Sequence, residues 1–234
     1  MPTRRRLLLL LSACLASSVN AAAADLTAGE SRWLSAAMPV LSYAQQQKLP
    51  LDVIVQPQPT PGHSPIAMGF VDGRCKLVLS MRGNPKAEAA LRDVAAGLLD
   101  AVIETMTAHE IGHCWRHVQG AWNSTPAGFS EVPRGDDDDV ELARLRRDMR
   151  ATRREEGFAD LVGLAWTLRQ RPQQYADVHG WLEQQRRDPV VPGSHHDTHA
   201  WVRLAKDGSA FDARAGDLLE QARALWQQGL INDD

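Results

Sequence analysis

His109-Glu110-Ile111-Gly112-His113 is the stretch that decides how this chain folds. Histidines four apart lie one turn apart on the same face of a helix. Both imidazoles can then reach a single ion, and zinc takes imidazole nitrogen at about 2.0–2.1 Å. Glu110 follows the first histidine and points past the ion to where a water would lie. A carboxylate in that place can take the water's proton and later hand it to a leaving amine. The arrangement requires a helix, and the flanking sequence supplies one. From Lys86 to about His117, Leu91, Val94, Leu98, Val102, Ile103 and Met106 build a broad apolar face, with Gly97 as the point where the run divides.

A catalytic zinc needs a third protein ligand and an open position. The residue ten after His109 is Gln119, which excludes a third histidine at that spacing, and His117 lies too far along the helix to share the ion. A better source is Arg153-Arg154-Glu155-Glu156-Gly157-Phe158-Ala159-Asp160, inside a second long helix expected from about Asp137 to Gln170. Glu156 and Asp160 share a face. Glu156 can bind the ion while Asp160 accepts the other ring N–H of a ligating histidine, fixing its tautomer and orientation. The apolar run that follows turns this face inward, where carboxylates need partners. Glu155 is out of register with Asp160 and is the weaker ligand. The four aspartates at 136–139 suit a helix N-terminus and lack the spaced ligands and glycine of a calcium loop.

Upstream, Trp33, Leu34, Ala37, Leu41 and Ala44 predict a helix within 26–48. Leu51 to Val55 reads as a strand. Ile66 to Val71 and Cys75 to Met81 read as a hairpin turning at Asp72-Gly73. Gly120 to Gly135 reads as a loop. Two or three short helices are expected to end the chain, the last near Leu218 to Gln228.

The pairing of His-Glu-x-x-His with a Glu-x-x-Ala-Asp helix resembles the gluzincin clan of zinc metallopeptidases, in the branch of the prenyl-protein (CAAX) endopeptidases and their periplasmic quality-control relatives. The likeness covers two short helical stretches. It implies one zinc per chain on His109, His113 and Glu156, with Glu110 as the base and Asp160 behind the histidines. It implies an α+β fold, mostly helical, with a small sheet before the metal helix: a minimal zincin-like domain over 25–234. It also implies a substrate-pairing strand, for which Gly73 to Met81 is the candidate, with Cys75, Leu77 and Leu79 as binding residues. Such enzymes carry a late histidine and an arginine that stabilise the oxyanion. Thr198-His199 and Arg203 are the candidates, although Ala200 stands where that family has proline and the spacing to Arg203 differs; His195 and His196 are the alternatives. The expected substrate is a peptide or unfolded protein. Two other readings are a zinc amidase of cell-wall peptides and a non-catalytic zinc-binding module, and the intact Glu110 argues against the second.

Composition fits this picture. Of 234 residues, 44% are hydrophobic and 24% charged, an ordinary globular balance, and the formal charge of −3 gives no basis for a nucleic-acid surface. Arg4 to Arg6, Leu7 to Leu11 and Ala21 to Ala24 form the three parts of a secretory signal over 1–24, too short for a permanent span. Its removal would take the charge to −6. Leu11-Ser12-Ala13-Cys14 also resembles a lipobox, so the expected location is periplasmic or secreted, with a lipid anchor at Cys14 as the alternative. Beyond the leader only Cys75 and Cys114 remain. An even pair in an oxidising compartment predicts a disulfide, here between the proposed cleft strand and the residue after His113.

Overall fold

The computed structural model describes residues 25–56, 64–129, 139–187 and 191–231. The leader with Cys14, the Asp136–Asp138 run and the later part of the 120–135 loop lie outside these residues. The first helix, α1 (Ala28–Gln46), opens with a capping box. Glu30 N–H donates to Thr27 Oγ1 at 3.2 Å, and Thr27 N–H donates to Glu30 Oε2 at 2.7 Å. Three strands follow, β1 (Leu51–Val55), β2 (Ile66–Val71) and β3 (Arg74–Leu79). Asp72 and Gly73, at φ 51° and 72°, make the tight turn between β2 and β3. Both central residues need positive φ there, which Asp-Gly supplies cheaply.

The strand order is β1-β3-β2, with β1 parallel and β2 antiparallel to β3. This corrects the expectation for the substrate-pairing strand. β3 is the central strand, its backbone groups engaged on both sides, and Cys75, Leu77 and Leu79 are buried in the core. The strand beside the metal helix with an open edge is β2. Pro65 C=O accepts from Ser80 N–H. By antiparallel alternation, Ile66, Met68 and Phe70 therefore turn their backbone groups away from β3.

The expected run from Lys86 to His117 divides near Gly97, as α2 (Pro85–Leu91) and α3 (Leu99–Val118) joined by a short 3₁₀ turn at Ala96–Leu98. The second long helix, α4 (Val140–Gln170), begins after Asp139, whose side chain caps it by accepting from Glu141 N–H and Leu142 N–H. The chain ends with α5 (Tyr175–Arg187), α6 (His199–Leu204) and α7 (Leu218–Leu230). The result is an α+β protein, mostly helical, with a small mixed sheet. Among the described residues no helix is long and apolar enough to cross a membrane.

Helices α3 and α4 form the central pair. They approach closely because small residues face each other. A Cβ on Gly112 would lie 3.2 Å from Ala159 Cα, and one on Gly163 would lie 2.8 Å from Thr105 C=O. Gly112 thus sits between the two histidines, and Ala159 just before Asp160, for a packing reason. The Cys75–Cys114 disulfide ties β3 to α3 across 39 residues. Closing a loop of that length removes roughly 4 kcal/mol of unfolded-state entropy. Trp201, Trp226 and Phe158 fill the core beneath α4.

Candidate metal centre

The close α3–α4 crossing brings one face of each helix together. His109 and His113 project from α3, one turn apart, with their rings perpendicular and their centroids 4.7 Å apart. Glu156 projects from α4 to meet both. His109 Nε2 and His113 Nε2 are 3.1 Å apart, and they lie 3.3 and 3.5 Å from the two Glu156 carboxylate oxygens. One ligand atom from each of the three residues fits within 4.8 Å of the others, so the cluster can hold a metal ion.

Asp160, one turn beyond Glu156, stands behind this cluster and is fully buried. Its Oδ1 lies 2.9 Å from His109 Nδ1. Arg186 of α5 donates to it twice, Nε to Oδ2 and Nη2 to Oδ1, both at 2.7 Å. Thr198 Oγ1 donates to Oδ2 at 2.5 Å. Burial pushes the Asp160 carboxyl up, but the Arg186 charge and these bonds outweigh it and hold Asp160 far below the usual range. An ionised Asp160 accepts the Nδ1 proton of His109 and leaves Nε2 as the donor atom facing Glu156. Burial opposes a charge on His109 as well. Its hydrogen bonds to Asp160 and Glu156 overcome this and hold it up to about 10. His113 lacks such a partner, and burial with the His109 charge lowers it to about 4. Glu156, though disfavoured by burial, is held down to about 2 by its bond to His109.

Glu110 points to the sheet side. It is buried, and burial raises it to about 7 against the opposing pull of His109 and of a hydrogen bond from the backbone N–H of Met68 on β2. That value suits a group that must both take and give a proton near neutrality. A cavity of about 180 Å³ opens beside it, lined by His109, Glu110, Arg186 and His196 and by apolar Ile66, Met106, Trp181 and Leu182.

Glu155 faces the other way. Arg116 Nε and Nη2 donate to its two oxygens at 3.1 and 2.7 Å, and Asn123 N–H donates at 2.8 Å. It is committed there and takes no part in the cluster. His117 stacks on Phe70, centroids 3.9 Å apart, one turn beyond His113. Of the late histidines, His196 reaches the cluster, its Nε2 3.7 Å from Glu156 Oε2. His199 instead meets Glu183 at 3.3 Å, His195 lies against His196 with the rings tilted by 55°, and Arg203 is exposed on α6. The structure therefore moves the nearby histidine from His199 to His196, and the nearby arginine from Arg203 to Arg186. No local pattern in the sequence marks Arg186, because its link to Asp160 spans 26 residues. Thr198 stands out in the sequence only as the neighbour of His199, since its bond to Asp160 spans 38 residues. No family model matches this chain, and neither a curated protein nor a solved structure was found to be similar to it.

Proposed function

We propose that the protein is a gluzincin-like zinc metallopeptidase that hydrolyses peptide bonds of exported or envelope proteins. The observation that carries the reading is the convergence of His109, His113 and Glu156 beside a buried Glu110 that burial raises to about 7. Two imidazoles and a carboxylate are a donor set of catalytic zinc. Donors about 2.0–2.1 Å from a tetrahedral ion lie about 3.3–3.4 Å apart; here the two imidazole nitrogens are 3.1 Å apart, and each lies 3.3 or 3.5 Å from a different oxygen of Glu156. An ion so held supplies Lewis acidity, lowering the pKa of a water and polarising a carbonyl.

The chain's own residues do the rest. Glu110 takes a proton at its carboxylate and returns it to the leaving amine, with Met68 N–H fixing its orientation. Asp160 holds the His109 Nδ1 proton, and Arg186 and Thr198 hold Asp160. His196 is placed to donate to the oxyanion. The edge of β2, apart from the Met68 N–H held by Glu110 and the Ile66 C=O held by Ser64, offers its remaining backbone groups to an extended substrate, in the manner of an added strand. The disulfide fits an oxidising compartment and so supports export.

The test compares wild type with Glu110→Gln on an unfolded protein such as casein. Wild type should cleave it. The variant should keep its zinc and lose cleavage by about 10²-fold or more. A wild type that holds zinc and cleaves neither casein nor peptides would overturn the peptidase reading.

A further inference from the structure

The amino-terminal part of α4 is unusual for a helix whose other half is buried on nearly every side. From Val140 to Met149 it is exposed almost throughout, and it carries large apolar residues in the open. Leu142 is 40% exposed, Leu145 50% and Met149 41%. Scattered apolar exposure is ordinary, but these three are not scattered. They lie fourteen, eleven and seven residues before Glu156, a spacing that keeps side chains on one face of a helix. The same face carries Glu156 into the metal centre and Asp160 behind it. The apolar stripe thus lies on the site's side of α4, with Arg153, which reaches Asp197 at 3.9 Å, on the same face between it and Glu156.

Its length can be counted. Fourteen residues at 1.5 Å span about 21 Å, the reach of about six residues of extended chain. Its borders are of both signs. Helical spacing sets Arg146 and Arg150 along one side and Glu141 and Asp148 along the other. A helix built to lie on anionic lipid concentrates basic residues around its apolar face, so the mixed border favours a polypeptide over a membrane. The cavity at the centre, about 180 Å³, falls below the 300–1,000 Å³ of a drug-sized ligand site. Length of contact must come from elsewhere on the surface.

We propose that the Leu142–Leu145–Met149 face of α4 is a docking track for an extended apolar segment of unfolded polypeptide substrate, leading it to the metal centre. The proposal rests on the peptidase reading and makes the preferred substrate an unfolded chain rather than a short peptide.

The test uses the triple substitution Leu142→Gln, Leu145→Gln, Met149→Gln, which keeps good helix formers at exposed positions. Fluorescein-labelled casein is titrated with Glu110→Gln protein, with and without the triple change. Removing the track should raise Kd about tenfold, the scale of losing partial burial of three apolar side chains. In proteins with Glu110 intact, the ratio of kcat/KM for casein over that for a hexapeptide should fall by a similar factor. An unchanged casein Kd overturns the proposal. So does a triple variant that loses only self-association, or only binding to phosphatidylglycerol vesicles, since the track would then serve a second copy or a membrane. If casein binds through the track but is never cleaved, the docking surface stands and the peptidase reading falls.

Discussion

Glu155 and Glu156 are neighbours in sequence, the first buried and the second partly buried, yet they belong to opposite kinds of site. Glu155 closes a self-sufficient cluster. Arg116 forks onto it, Asn123 N–H completes it, and the guanidinium lies 4.4 Å from the centroid of the Trp226 ring. Every charge there has its counter-charge from the chain. Glu156, about 100° further round the same helix, faces two imidazole nitrogens, and of these His109 lines the cavity. One cluster fastens α3 to α4, and the other uses the fastening to hold donors in place. The lesson is that two adjacent carboxylates are told apart by what the facing helix presents to each: an arginine at 116, or histidines at 109 and 113.

The largest effects should come from breaking each side in turn. Glu155→Gln leaves the Arg116 charge buried without its partner, which costs roughly 3–5 kcal/mol. Thermal unfolding should show Tm lower by roughly 10 °C, with metal content unchanged. Glu156→Gln should empty the metal site and lower Tm of the metal-free protein by less, because His109 loses one carboxylate partner and keeps Asp160. Similar behaviour of the two variants would dissolve the distinction.

A smaller effect is expected one step behind the donors. Asp160→Asn removes the charge that orients His109, and such changes weaken metal binding about 10–100-fold. Chelator competition measures this directly, and an unchanged affinity would reduce Asp160 to a packing residue beside Arg186.

Of similar size is the dependence on pH. His109 is raised from 6.5 to about 10 by Asp160 and Glu156, so at pH 7 it holds a proton that an incoming ion must displace. Affinity should therefore rise as pH rises, by about tenfold per unit, until pH approaches that value. Zinc titrations between pH 6.5 and 8.5 give the slope. A flat profile would mean that His109 is already neutral and is not drawn on as argued.

Much of this frame was legible in the sequence because it is local. Helical spacing placed His109 and His113 on one face, and Glu156 and Asp160 on another. Asp72-Gly73 marked the hairpin, and two cysteines left little choice of disulfide. What was illegible depends on sheet order and on loops. A hairpin read along the chain does not say which of its strands will be central. The parallel pairing of β1 with β3 decided that, leaving β2 rather than Cys75, Leu77 and Leu79 to face the cleft. In the same way, three histidines within five residues look alike in sequence. The turns over 194–198 send His196 to the cluster and His199 to Glu183, while Arg186 arrives from a helix that carried no sign of it.

The most direct test is a titration of zinc into the metal-stripped protein, with His113→Ala and Glu156→Gln alongside wild type. We predict one ion per chain for wild type and at least about 100-fold weaker binding in each variant, with circular dichroism unchanged. A wild type that binds no ion, or binding that survives both substitutions, would contradict the metal centre and everything built on it.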